Sequence, residues 1–312
     1  MSKDRFGIID IGSNSVHLEV AEFREGSLNT ICTDRVVTRL GAGVATTNQI
    51  EKHSLDETVA TIGKFIKTAK KHGAKKADLK LIATAAARQA ENGSELVDLV
   101  RSSYDMLVEI ISPEQEANYA LRGVAHRYPI EHHSIGVIDI GGGSTEIITA
   151  VDGDVTLIAS LPFGAVTLSS QFDLHDVIDP SRYKNMENCI YESLSEHMSQ
   201  VAELDSVYAT GGACTAMAAI EMHRDERDLI RDDALDGYVL KLQSIKDQLE
   251  LLCALDATGR SNLDGLSPKR SEIIVAGATV TKLVLDRLRT DSMIIHTGGI
   301  KLGVLLEMSH RT

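Results

Sequence analysis

A pattern of fifteen residues occurs twice in this chain, at Gly7–Ala21 (GIIDIGSNSVHLEVA) and Gly136–Ala150 (GVIDIGGGSTEIITA). No other feature constrains the fold as strongly. At a constant offset of 129 residues, Gly7, Ile9, Asp10, Ile11, Gly12, Ser15 and Ala21 return as the same residue types. Each copy is an apolar run, a turn of glycine and small polar residues, and a second β-branched run, which is the pattern of a hairpin. The aspartate and the turn residues repeat along with the apolar ones. The recurrence therefore predicts a duplicated domain with a cleft between the copies. A chain of 312 residues is long enough for two medium α/β domains, here placed at 1–123 and 124–312.

Between the hairpins the apolar periodicity alternates. Val59, Ile62, Phe65, Ile66 and Ala69 follow helical spacing within 53–72. A strand LKLIATAAAR, a helix near 95–104, a strand MLVEIIS and a helix from about Glu114 complete the first half. In the second half, LIASLPFGAVTLSSQF reads as a loop broken by Pro162 and Gly164. A long helical stretch over 181–203 follows, then strand SVYATGG, helix start ACTAMAAI, strand SMIIHTGG and a last helix IKLGVLLEM. Alternating strands and helices behind each hairpin predict an α/β fold of mixed sheets flanked by helices.

The charge balance narrows the function. With 45 acidic and 32 basic residues the net charge is −13, which argues against nucleic-acid binding through a broad basic field. Aromatics at 4%, with no tryptophan, leave few platforms for stacking bases. No apolar run is long enough to span a membrane. The first strand starts almost at the N-terminus, so no signal peptide is expected and a cytoplasmic location is. Cys32, Cys189, Cys214 and Cys253 form no CxxC pair, so neither a zinc site nor a disulfide framework is expected. Five lysines within 69–80 read as a solvated helix end, and the adjacent His132 and His133 as a loop rather than a metal pair.

Four strands run into small-residue turns: Gly12-Ser13-Asn14, Gly141-Gly142-Gly143-Ser144, Gly211-Gly212 and Gly298-Gly299. Adjacent N–H groups with no Cβ in the way form an anion-binding concavity, and a helix that opens there adds a favourable field. Amides that grip phosphate leave its charge unneutralised. A divalent ion held by carboxylates, water and phosphate oxygens makes up the deficit. Asp139 and Glu146, seven residues apart across a tight hairpin, are placed to hold it.

IDIGSNSVHL, ATAAARQAEN, EIISPEQEA and VIDIGGGSTEI resemble, in that order and spacing, the exopolyphosphatase/guanosine pentaphosphate phosphatase (Ppx/GppA) family of the actin-like ATPase superfamily. The resemblance implies two actin-like (ribonuclease H-like) domains with the active site between them, and a last helix that crosses back onto the first. It implies release of terminal phosphate from inorganic polyphosphate, or of the 5′-γ-phosphate from guanosine pentaphosphate, with Mg²⁺ or Mn²⁺. On the matching positions, Glu116 is the catalytic glutamate, with Glu114 its nearest rival. Arg88 grips phosphate, while Asp139 and Glu146 hold metal and organise water, with Asp10 as the equivalent metal-side carboxylate. Gly12, Ser13, Asn14, Gly141, Gly142, Gly143, Ser144, Gly211, Gly212 and Lys301 contact phosphate.

Three positions depart from the family's habit of arginine: Asn118, Thr167 and the last turn, Ile300-Lys301-Leu302-Gly303. With the acidic net charge, they point to short polyphosphate or a nucleotide rather than long chains. Two rivals stand beside this reading, an ATP-dependent phosphotransferase of the same superfamily and a non-catalytic polyphosphate or alarmone sensor. Apolar helix faces leave room for a homodimer.

Overall fold

The computed structural model describes residues 4–24, 27–198 and 202–309. Both repeated segments are hairpins: β1 (Asp4–Ile11) pairs antiparallel with β2 (Ser15–Arg24), and β6 (Ser134–Ile140) with β7 (Thr145–Val151). Their turns close with equivalent bonds. Gly12 N–H donates to Ser15 O at 3.1 Å, and Gly141 N–H to Ser144 O at 3.0 Å. A third antiparallel strand follows each hairpin, β3 (Ser27–Val37) and β8 (Asp154–Leu161). The register shifts at Val20/Ala21 against β3 and at Thr149/Ala150 against β8, again 129 residues apart. A bulge bends and twists its strand. The two copies thus share curvature as well as turn.

Parallel strands extend each sheet, entered from helices that cross over one face, and the second sheet ends in an antiparallel edge strand. β4 (Leu79–Ala83) and β5 (Val108–Ile110) give the order β3-β2-β1-β4-β5. β9 (Ser206–Thr210), β11 (Ser292–Ile295) and a short edge strand β10 (Val239–Lys241) give β8-β7-β6-β9-β11-β10. The chain divides into two compact units. One takes the chain up to Gly123 and again from Ile300, and the other is Val124–Gly299.

In the first unit the helix Lys52–Lys71 lays Leu55, Ile62, Phe65 and Ala69 against the sheet, the face its periodicity predicts. Burying one such side chain is worth about 1.5–3 kcal/mol. In the second unit the helix Ile274–Leu288 is almost wholly buried, in keeping with its near-continuous apolar sequence. Among the described residues no helix is long and apolar enough to cross a membrane.

Three local expectations change. Where the sequence suggests a loop over 157–172, the structure has the end of β8 and the helix Ala165–Gln171, because Pro162 and Gly164 fall in the short link between them. The run LKLIATAAAR is strand only to Ala83. The alanines after Thr84, good helix formers, turn into the helix Ala85–Gln89 that carries Arg88. The long helix spans Pro180–His197, with Asp179 capping its first turn, and stops short of 203; residues 199–201 lie outside the described residues.

The final helix, Gly299–Ser309, packs closely on the helix Pro113–Arg127. A Cβ on Gly303 would collide with the backbone carbonyl of Tyr119. Beside it, Lys80 Nζ donates to Tyr119 Oη and Tyr119 Oη to Glu307 Oε2, both at 3.1 Å. Alanine at Gly303 would gain about 1 kcal/mol in helix propensity, but the collision is with backbone that cannot swing aside, at about 1–3 kcal/mol. Gly303→Ala is therefore expected to lower the urea midpoint, and an unchanged or raised midpoint would show that the helices do not meet this closely.

Candidate active site

In the first unit, the turn after β1 is held by the segment that follows β3. Thr38 N–H and Arg39 N–H donate to Asn14 O at 3.1 and 3.0 Å, and Gly41 N–H donates to Ser13 O at 2.8 Å. The carbonyls of Ser13 and Asn14 are thereby tied to that segment. Ser13 Oγ is buried without a hydrogen-bond partner among the described residues, a costly state unless a ligand or water supplies one. Asp10 is half-buried and stands opposite His17 in the β1–β2 ladder, and His17 opposite Arg35 in β2–β3.

Glu116 and Arg88, both in this unit, come together. Glu116 lies in the first turn of the helix Pro113–Arg127 and is 5% exposed. Arg88 Nη1 donates to Glu116 Oε2 at 3.0 Å and to Ile111 O at 2.8 Å. Helix phase separates the two candidate acids. Glu114 points to solvent, its carboxyl held below the usual range chiefly by the Ser112 hydroxyl, while Glu116 faces inward. Asn118 is exposed, and Lys301 is half-buried in the first turn of the final helix.

In the second unit, too, the segment after the third strand holds the turn, here Gly141–Ser144, through carbonyls one position earlier in the repeat. Ala165 N–H donates to Gly141 O at 3.0 Å, and Val166 N–H and Thr167 N–H to Gly142 O at 2.8 and 3.1 Å. Thr167 is buried and structural, since its Oγ1 accepts from Gly164 N–H at 2.8 Å and caps the helix Ala165–Gln171. Asp139 and Glu146, 9% and 1% exposed, are directly opposite in the β6–β7 ladder. Ser160, opposite Glu146 on β8, donates to Glu146 Oε1 at 3.0 Å.

On the other side of Asp139, Thr210 is its ladder partner, and the chain then makes a turn that only glycine permits. Gly211 has φ +93 and ψ 161, and a Cβ there would collide with Ile140 O and approach Asp139 Oδ1 to 2.9 Å. Gly212 opens the helix Gly212–Glu221 with the Arg270 guanidinium lying against its Cα. Arg270 Nη2 donates to Glu226 Oε1 at 3.0 Å, and Thr215 Oγ1 donates to the same oxygen, so the guanidinium is a buried prop for the turn. Burial, and then the Asp139 charge, push the Cys214 thiol up to about 12.

Of the residues the sequence singles out, the structure brings Arg88 to Glu116 and Asp139 to Glu146. Sequence reasoning missed Ser160, which becomes visible once β8 is recognised as a strand in register with β7, and the Arg270–Glu226 prop, which carries no local signal. His132 and His133 are exposed near Asp152 and Asp205, at 3.7 and 3.8 Å. All four cysteines are free thiols.

Two mixed sheets that share an order of five strands, with glycine turns at the strand ends, define an actin-like fold. A crystal structure of the Aquifex aeolicus member of the Ppx/GppA family matches with a TM-score of 0.80 at 28% identity, covering 99% of each chain. An exopolyphosphatase from Cytophaga hutchinsonii matches with a TM-score of 0.89 at 25% identity, covering 99% of both. Exopolyphosphatase 1 of Mycobacterium tuberculosis is 27% identical over 316 residues, 97% of this chain and 87% of its own. The Ppx/GppA phosphatase family profile matches residues 19–312, and the chain belongs to that family of phosphoanhydride hydrolases.

Gly211→Ala combines a backbone conformation closed to L-residues with a collision at Ile140 O. It is expected to cut phosphate release at least about tenfold, since a displaced Asp139 misplaces the site. Gly153→Ala shares the positive φ, +84, but has open space around the new methyl, and should cost stability alone. Equal loss of turnover in both would show that backbone strain, not the approach to Asp139, governs the effect.

Proposed function

We propose that this chain releases the terminal phosphate of inorganic polyphosphate, short chains preferred, and the 5′-γ-phosphate of guanosine pentaphosphate, by attack of water that Glu116 orients and deprotonates. The observation that carries this reading is the buried Glu116 with the Arg88 guanidinium 3.0 Å away. A base and a phosphate fork stand side by side, as hydrolysis of a phosphoanhydride requires. Arg88 keeps further N–H donors for phosphate oxygens, and the turn at Gly12–Asn14 in the same unit offers amides and hydroxyls of the kind that bind phosphate.

The residues that would hold Mg²⁺ or Mn²⁺ are Asp139 and Glu146, which face each other within the second unit. Among the described residues no group of three His, Cys, Asp or Glu side chains gathers for a metal. Two opposed carboxylates suit an ion that keeps several waters and arrives with phosphate. When bound, the ion neutralises charge on the transferring phosphoryl group. Ser160 fixes Glu146 in place through its hydroxyl.

Glu116→Gln keeps the shape of the side chain and removes the base. Phosphate release from short polyphosphate should fall about 10²–10⁴-fold, with substrate affinity held within about threefold. Wild-type turnover in this variant would remove Glu116 from the mechanism. Acceptor-dependent ADP formation from ATP, with no phosphate release from polyphosphate, would favour the phosphotransferase instead. Chelation by EDTA should abolish release and added Mg²⁺ or Mn²⁺ restore it; activity that survives chelation would sink the assignment of Asp139 and Glu146 to metal.

A further inference from the structure

Asp236 lies far in sequence from the glycine turns and the site acids, in the loop between the helix Glu226–Arg231 and β10, yet its carboxylate accepts five hydrogen bonds. Oδ1 accepts from His296 Nδ1 at 3.1 Å, from Thr297 N–H at 2.8 Å and from Thr297 Oγ1 at 3.1 Å. Oδ2 accepts from Tyr128 Oη at 3.0 Å and from Arg127 Nη1 at 3.2 Å. Acids that merely start helices in this unit do less: Asp225 and Asp256 each accept from one backbone N–H at their helix starts. Burial would raise the Asp236 pKa, but His296, the Thr297 amide and Arg127 outweigh it and hold the carboxyl well below the usual range.

The three Oδ1 donors all belong to the exit of β11, where the last glycine turn begins. On either side, Gly237 N–H donates to Ile295 O and Ile295 N–H to Tyr238 O, both at 2.8 Å, so the loop is laced to the strand. His296 is fully buried, its backbone N–H on Ala209 O at 2.8 Å. From Thr297 the chain reaches Gly299 in two residues. Gly299 has φ +51, and a Cβ there would stand 2.7 Å from Thr210 Oγ1. Thr210 is the ladder partner of Asp139. Asp236 therefore fixes one end of a three-residue turn whose other end abuts the neighbour of the site carboxylate.

We propose that Asp236 is a positioning residue for phosphate release: through His296 and Thr297 it sets where the Gly298 and Gly299 amides stand beside Thr210 and Asp139. It touches no substrate. This role rests on the hydrolase reading above. The two carboxylate oxygens divide the labour, Oδ1 holding the turn and Oδ2 tying the loop to Arg127 and Tyr128.

That division supplies the test. Asp236→Asn cannot accept on both sides, and Thr297→Val removes one Oδ1 donor. Tyr128→Phe removes one Oδ2 donor and leaves the turn held. Steady-state release of phosphate from short polyphosphate, thermal midpoints and hydrogen exchange at the Gly298 and Gly299 amides are measured for all four proteins. Asp236→Asn is expected to lower kcat about 10–100-fold with KM within about twofold, Thr297→Val to lower it by a smaller factor, and both to speed exchange at the two glycines. Tyr128→Phe is expected to lower the midpoint while keeping kcat and glycine exchange near wild type. If kcat falls in Tyr128→Phe as it does in Asp236→Asn, or if Asp236→Asn keeps wild-type kcat and exchange, the positioning role is overturned while the hydrolase reading stands. A wild-type protein that releases no phosphate at all overturns that reading, and this role with it.

Discussion

Two buried carboxylates directly opposite one another in an antiparallel ladder are the constraint on which the second unit is built. Side chains so paired stand about 4.5–5.5 Å apart at Cβ, and like charges in that position destabilise a sheet. Asp139 and Glu146 occupy it at 9% and 1% exposure, where water relieves little of the repulsion. A fold does not gain stability from this arrangement. Ser160 steadies one acid and Gly211 leaves room at the other, and the proposed cation would turn the repulsion into a ligand set.

The duplication shows how one scaffold serves two tasks. Turn closure, bulge and strand order are common to both units, but the row of side chains across the sheet is not. Asp10, His17 and Arg35 stand where the second copy has Asp139, Glu146 and Ser160. The second row is acidic, whereas the first carries a guanidinium and an imidazole beside a single acid. The buried acid of the first unit, Glu116, comes from a different element, the helix that starts at Pro113.

What could be read from the sequence was what repeats or what is local. The hairpins, the glycine turns and the position of Glu116 at a helix start all depend on residues within about ten of one another. Burial by helix phase then distinguishes Glu116 from Glu114. The strand β8 was hidden because Pro162 and Gly164 signal a break, and the break is real but falls after the strand has ended. Contacts across long separations leave no local signal: Arg88 and Glu116, 28 positions apart, are joined in the sequence only through the family motifs, and nothing there joins Asp236 to residues 127–128 and 296–297. Thr167, where the family often has arginine, is a buried helix cap whose hydroxyl satisfies Gly164 N–H.

The claim at the centre of this account is that Asp139 and Glu146 form a cradle for a divalent ion carried with phosphate. Mn²⁺ binding followed by electron spin resonance, with pyrophosphate present, tests it on the wild-type protein and on Asp139→Asn. The account predicts one tightly held ion per wild-type chain, and affinity weakened at least about tenfold in the variant. Equal affinity in the two proteins would contradict it.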